Sequence, residues 1–182
     1  MYYYPYYFHV PMNYDIRQLN YWNYPHEYYG NYGYPLGDRQ FTDQGPNPYV
    51  VDIEEATKRN NNFRTALWTG RHMQVTLMSL KPGEDIGLEV HPDVDQFLRV
   101  EQGQGIVRMG RRRNNLNIVR RIDDDTAIMV PAGTWHNVEN TGNRPLKLYS
   151  IYAPPEHPRG TVHVTKAEAM AAESNQGRTA FY

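Results

Sequence analysis

The sequence predicts an all-β fold, an antiparallel sandwich or barrel with short flanking helices and an extended tyrosine-rich N-terminal arm. Three observations lead there. Between residues 63 and 153, short β-favouring runs recur with turn signals about every 8–12 residues, the pattern of a small antiparallel barrel rather than a parallel sheet. Only two stretches, one on each side of that region, read as helical. Before residue 49 aliphatic residues almost vanish: of 16 tyrosines, 12 lie between Tyr2 and Tyr34, among Asn, Gly and Pro.

The segment 1–48 holds only Val10, Ile16, Leu19 and Leu36 as Val, Ile or Leu. It cannot bury enough aliphatic surface to offset its ordering entropy and is expected to be extended or disordered. The barrel is expected over 49–164. It opens with a short helix at Val51–Arg59, which has Asp52 as N-cap and acids in its first turn. Strands are expected at Phe63–Thr69, Met73–Leu80, Ile86–His91, Gln96–Glu101, Gly105–Met109, Asn117–Ile122, Thr126–Val130, His136–Asn140 and Leu146–Ala153. Turn signals such as Pro82-Gly83, Gln102-Gly103 and Pro131-Ala132-Gly133 lie between them. The segment 165–182 opens on Thr165-Lys166-Ala167-Glu168, a capping-box pattern that predicts a terminal helix fraying from Asn175.

Composition removes several function classes. The 182 residues include no cysteine, which excludes disulfides, iron–sulfur clusters, thiolate zinc and cysteine nucleophiles. A formal net charge of -1 argues against a general polyanion binder. Arg111, Arg112 and Arg113, with Arg120 and Arg121, flank one hairpin without aromatic interleaving, so a solvated loop is expected and nucleic acid is not. No run approaches the roughly 20 apolar residues of a membrane span, and residues 1–10 lack a secretory pattern. A cytoplasmic protein is expected, with spore or coat association open because tyrosine-rich segments favour self-association.

Of seven histidines, two fall in expected strands next to turns, His91 and His136. Side chains alternate along a strand, so Glu89 and His91 share a face one pleat apart. Gln96 opens the return strand opposite them, and His136 follows the Pro131-Ala132-Gly133 turn. One carboxylate, two imidazoles and an amide oxygen suit a divalent first-row metal better than calcium.

These two stretches resemble the paired motifs of the cupin superfamily. The first lies on Gly83, Glu89, His91, Gln96 and Gly103, and the second on Asp125, Pro131, Gly133, His136 and Asn140, with every gap matching. Glu89 stands where the motif has its first histidine, Gln96 where it has glutamate, and Asp125 where it has a turn glycine. The resemblance implies a jelly-roll β-barrel, commonly a homodimer, with one divalent ion per chain (zinc, iron, manganese or nickel) held by Glu89, His91, Gln96 and His136. The swap of Glu89 for histidine and Gln96 for glutamate keeps the ligand charge at one negative. The text is similar to the small single-domain cupins labelled mannose-6-phosphate isomerase-like, a likeness of motif rather than substrate. It implies a metal-dependent isomerase, lyase or dioxygenase acting on a small polar molecule such as a sugar or carboxylate. A structural or assembly cupin using the arm, without catalysis, is the alternative.

Candidate substrate contacts on neighbouring strands are Arg64, Arg99, Trp135, Tyr149 and Tyr152. Tyr149 and Tyr152 differ by three, so a regular strand turns at most one of them inward. His157 and His163 lie in the Pro-rich tail, which is expected to lap over a neighbour rather than ligate.

Overall fold

The structure, a computed structural model, describes residues 41–175; the tyrosine-rich arm up to residue 40 and residues 176–182 lie outside the described residues. Helix α1 (Ile53–Arg59) opens where Asp52 accepts a hydrogen bond from the Glu55 amide at 2.9 Å, with Glu54 and Glu55 near its positive end and Lys58 and Arg59 near its negative end. Its last turn is closed from the barrel side. The Lys147 ammonium donates to the Asn60 carbonyl and, at 2.9 Å, to Asn61 Oδ1.

Nine strands follow: β1 (Arg64–Thr69), β2 (Gln74–Leu80), β3 (Asp95–Gln102), β4 (Gly105–Gly110), β5 (Ile118–Ile122), β6 (Ala127–Val130), β7 (Trp135–Asn140), β8 (Leu146–Ala153) and β9 (Val162–His163). They form two antiparallel sheets, one in the order β6-β3-β8-β2-β1-β9 and one in the order β5-β4-β7. Helix α2 (Lys166–Asn175) closes the described chain. Thr165 Oγ1 accepts from the Glu168 amide at 3.3 Å, while the Glu168 carboxylate accepts from the Val164 amide at 2.8 Å.

Strand alternation sorts the residues into two layers. Met78, Leu80, Leu98, Val100, Leu146 and Leu148 point inward and meet Val107, Ile122 and Val138 from the second sheet in one buried core. Each such side chain contributes about 1.5–3 kcal/mol through burial. The opposite face of the large sheet carries Leu67, Leu77 and Tyr149, which pack under Ala56 of α1 with Phe41 alongside.

Three local features differ from the sequence expectation. The stretch Ile86–His91 forms no ladder strand; it meets β7 through two isolated bridges, Asp85 with Glu139 and Glu89 with His136. Four residue steps on one side oppose three on the other, and Gly87, with a φ of 93°, takes up the extra residue as a bulge. The short strand β9 was not expected: Val162 and His163 pair with Thr65 and Arg64 at the sheet edge. Residues 41–45 of the segment read as an arm touch the barrel. The Asp43 carboxylate accepts from the Thr69 amide at 2.9 Å, and the Gln44 amide donates to the Leu67 carbonyl at 2.9 Å.

Candidate metal centre

The bulge at Gly87 aims the next residues at β7. The Glu89 amide donates to the His136 carbonyl at 3.0 Å, and the His136 amide returns a bond to the Glu89 carbonyl at 2.9 Å. The amide of Gly133, in the turn before β7, donates to the His91 carbonyl at 2.8 Å. Backbone bonds therefore tie the two motif segments together before any side chain contributes.

The side chains converge on one point. Glu89 Oε1 lies 3.2 Å from His136 Nε2 and 3.4 Å from His91 Nε2. One ligand atom from each of the three lies within 4.8 Å of the other two. Both imidazoles thus present Nε2 to the carboxylate. Their other nitrogens are engaged elsewhere: His136 Nδ1 is 3.0 Å from the Thr134 carbonyl, and His91 Nδ1 is 3.4 Å from Glu156 Oε1. A carbonyl can only accept, so His136 donates from Nδ1 to Thr134 and turns Nε2 inward, toward the Glu89 carboxylate.

Charge attraction couples these groups, and a metal bound here would have to displace the proton that the two carboxylates hold on His91. Burial opposes charge on Glu89, yet hydrogen bonding to His136 and His91 outweighs it and holds the carboxyl well below its usual range. Burial also opposes charge on His91, but Glu156 and Glu89 at its two nitrogens raise its pKa to about 9. Two imidazoles and one carboxylate facing one another form a donor set that a divalent cation would complete. Gln96 Oε1 is buried without a hydrogen-bond partner, the condition expected of an atom that serves as a ligand. The residues present fit a metal.

Gln96 is the second residue of β3, 3% exposed, and pairs across the sheet with Tyr152 of β8. Tyr152, wholly buried, meets the His91 ring edge-on with centroids 5.7 Å apart. Arg64 points into the barrel from β1, 1% exposed, and its Nη1 donates to Glu173 Oε1 of α2 at 2.8 Å. The remaining candidate contacts do not line the interior. Tyr149 belongs to the outer layer beneath α1. Arg99 pairs with Tyr149 across β3 and β8, so it shares that outer face, where it is bound to Asp125 at 2.6 Å. Trp135 precedes His136 on β7 and faces the other side of that strand.

Glu156 escaped the sequence reading. The segment Pro154–Pro158 folds back over the site instead of reaching away. Gln74 clamps it, accepting from the His157 amide at 2.9 Å and donating to the His157 carbonyl at 2.9 Å. The His157 ring stands edge-on to Tyr152 at 5.1 Å. The signal available in the sequence was an acidic residue three positions beyond a strand end, after two prolines that stop the strand.

The family described as Cupin domain matches residues 76–152, a span holding Glu89, His91, Gln96 and His136. The chain is 61% identical over 175 residues to the uncharacterised protein YrkC of Bacillus subtilis (strain 168), covering 92% of this chain and 94% of that protein. The chain belongs to the cupin family. A crystal structure of BH2720 from Bacillus halodurans is 70% identical, with a TM-score of 0.71, covering 71% of this chain and 98% of that one. A Klebsiella pneumoniae protein with a double-stranded β-helix domain, 20% identical and with a TM-score of 0.51 over 65% of this chain and 100% of its own, shares the fold. The jelly-roll barrel of this cupin therefore rests on both its own strand order and its relatives. Among the described residues, no helix is long and apolar enough to cross a membrane.

Proposed function

We propose that this cupin binds one divalent metal ion through Glu89, His91 and His136, with Gln96 as the fourth donor, and acts as a metal-dependent enzyme on a small polar substrate. The observation that carries this reading is the convergence of both Nε2 atoms on the Glu89 carboxylate, with each Nδ1 engaged on the outside. A bound ion would supply Lewis-acid or oxygen chemistry of the isomerase, lyase or dioxygenase type. Two histidines and one carboxylate are also the donor set of non-haem iron oxygenases.

The chain's own residues set the conditions for that chemistry. His136 and Glu89 are held by reciprocal backbone bonds, so their spacing does not depend on the ion. The Pro154–Pro158 segment, clamped by Gln74, brings Glu156 against His91 at the site. Tyr152 stands beside His91 with its hydroxyl pKa pushed well above its ordinary value by burial, so it is a neutral hydrogen-bond donor.

Metal analysis of the purified protein beside a His136→Ala variant tests this reading. About one equivalent per wild-type chain and little in the variant is the expected result. Equal metal in both removes the ligand set.

The arm favours a second reading, a structural cupin of an assembly such as a spore coat, because 12 tyrosines lie between Tyr2 and Tyr34. Removing residues 1–40, which spares the Asp43 and Gln44 bonds to the barrel, and measuring mass by light scattering tests it, together with the homodimer expected of the family. Identical assembly with and without the arm overturns the structural reading.

A further inference from the structure

Along three adjacent strands the inward face changes character from one end of the barrel to the other. On β2 the inward residues run Leu80, Met78, Thr76, Gln74; on β8 they run Leu146, Leu148, Ser150, Tyr152; on β3 they run Val100, Leu98, Gln96. The first half of each series is apolar and the second half polar. The polar halves lie side by side, since Gln96 pairs with Tyr152, and Tyr152 pairs with Gln74. Tyr152 brings this patch against His91.

Several of these polar groups have no partner. Thr76 Oγ1 and Arg64 Nε are buried and unbonded, and the buried Tyr152 hydroxyl has Ser150 beside it but no well-formed hydrogen bond, on residues 0%, 1% and 0% exposed. Arg64 enters on the same inward face opposite Met78, and its guanidinium interacts electrostatically with Tyr152 and Glu89 at the polar end. Folded chains rarely leave buried polar atoms unbonded, and a cluster of them marks a place where something else bonds. Gln74 shows the contrast: in the same layer, both ends of its amide are satisfied by the His157 backbone.

The donor inventory names the class of ligand. Arg64 Nε can only donate, and the Tyr152 and Thr76 hydroxyls are free to donate as well. Three donors, one of them cationic, call for an acceptor-rich anionic group. Arg64 already shares its charge with Glu173, so a single negative charge is met better than two, which favours carboxylate over phosphate. The patch is three strands wide, at about 4.8 Å per strand, and two inward residues deep, at about 6.6 Å, which suits a molecule of only a few carbons.

We infer that the polar half of the barrel interior is a binding chamber for a small carboxylate, held by Arg64 Nε and the hydroxyls of Tyr152 and Thr76 beside the metal centre. This deepens the reading of the site as a metal-dependent enzyme and rests on it for the neighbouring ion. Gln96 and His91 are left to that ion.

Calorimetric titration of the metal-loaded full chain with glycolate, lactate, malate and 2-oxoglutarate tests the inference, with lactamide, glycerol and inorganic phosphate as controls. At least one carboxylate is expected to bind, and the controls to bind at least tenfold more weakly. Tyr152→Phe and Thr76→Val should each weaken that carboxylate about 5–10-fold, the effect of one lost neutral hydrogen bond. Thermal melting of the same variants without ligand should be unchanged or higher, because each removes an unbonded buried hydroxyl. Arg64→Gln, checked for folding by circular dichroism, should abolish the preference for carboxylate over its amide. Failure of every carboxylate, equal binding of phosphate or lactamide, or unchanged affinity in both Tyr152→Phe and Thr76→Val overturns the chamber. Metal content measured on the same samples separates the two readings: metal bound without carboxylate binding sinks only the chamber, and carboxylate binding without metal sinks only the metal centre.

Discussion

Glu156 Oε1 stands 3.4 Å from His91 Nδ1, at the ring nitrogen that Glu89 does not face. A histidine ligand commonly engages an acceptor through its second nitrogen, which fixes the ring and makes the first a better donor. Glu156→Gln keeps the shape and removes the charge, so metal affinity should fall about 10–100-fold. Competition against a chromophoric chelator measures this. Wild-type affinity in the variant would show that Glu156 merely packs there.

Gln96 separates a ligand from an accident of packing. Its Oε1 is buried and unbonded, so Gln96→Leu should leave the metal-free protein as stable as wild type or slightly more so. The same substitution should weaken metal binding. Calorimetric melting with and without chelator reads both effects, and a loss of stability in the metal-free state alone contradicts the assignment.

Asp43 ties residues 41–45 to the barrel and sets an acid limit. Burial raises its pKa, but bonds from the Thr69 hydroxyl and the Gly160, Gly45 and Thr69 amides outweigh it and bring the carboxyl below 3.8. A folded pKa below the unfolded one contributes stability that is complete above about pH 4 and is lost as pH falls through the folded value. Asp43→Ala should cost about 1–3 kcal/mol at neutral pH, through the donors left unbonded. It should also flatten the acid limb of a urea-unfolding series between about pH 2 and 5. An unchanged acid limb would exclude Asp43 as its source.

Asp125 adopts a φ of 68°, and no other non-glycine among the described residues has a positive φ. It occupies the second motif's glycine position and holds Arg99 at 2.6 Å on the outer surface. Left-handed backbone costs an L-residue about 1–2 kcal/mol, less for Asp or Asn and nothing for Gly. Asp125→Ala should therefore lower stability by about 1 kcal/mol while Asp125→Gly stays near wild type. Denaturant midpoints give the order, and an alanine variant as stable as the glycine one refutes it.

Most strands were legible because one face of each is buried, which writes alternation into the sequence. β2, β7 and β8 lie within a residue or two of their expected limits. The stretch Ile86–His91 read as a strand because it has strand composition. Its single bulge at Gly87 is a register decision made by β7, and a lone glycine does not announce it. The parity that turns Tyr152 inward and Tyr149 outward is implicit in their spacing. Which of the two faces becomes the interior depends on where α1 packs. Burial of Arg64 was not legible, because an arginine at a strand end ordinarily reaches water. Here Glu173 of α2 meets it instead.

The sequence by itself determined the barrel, the two motif segments and the identities of Glu89, His91, Gln96 and His136, because periodicity and fixed spacing are local properties of a chain. Tertiary structure alone decided that Glu156 approaches His91, that Gln74 clamps the segment over the site, and that Arg64, Thr76 and Tyr152 are all buried on the inward face of one sheet. Those contacts join residues distant in the chain. Their existence depends on strand order and on which sheet face is closed, quantities that appear only when the whole chain has packed.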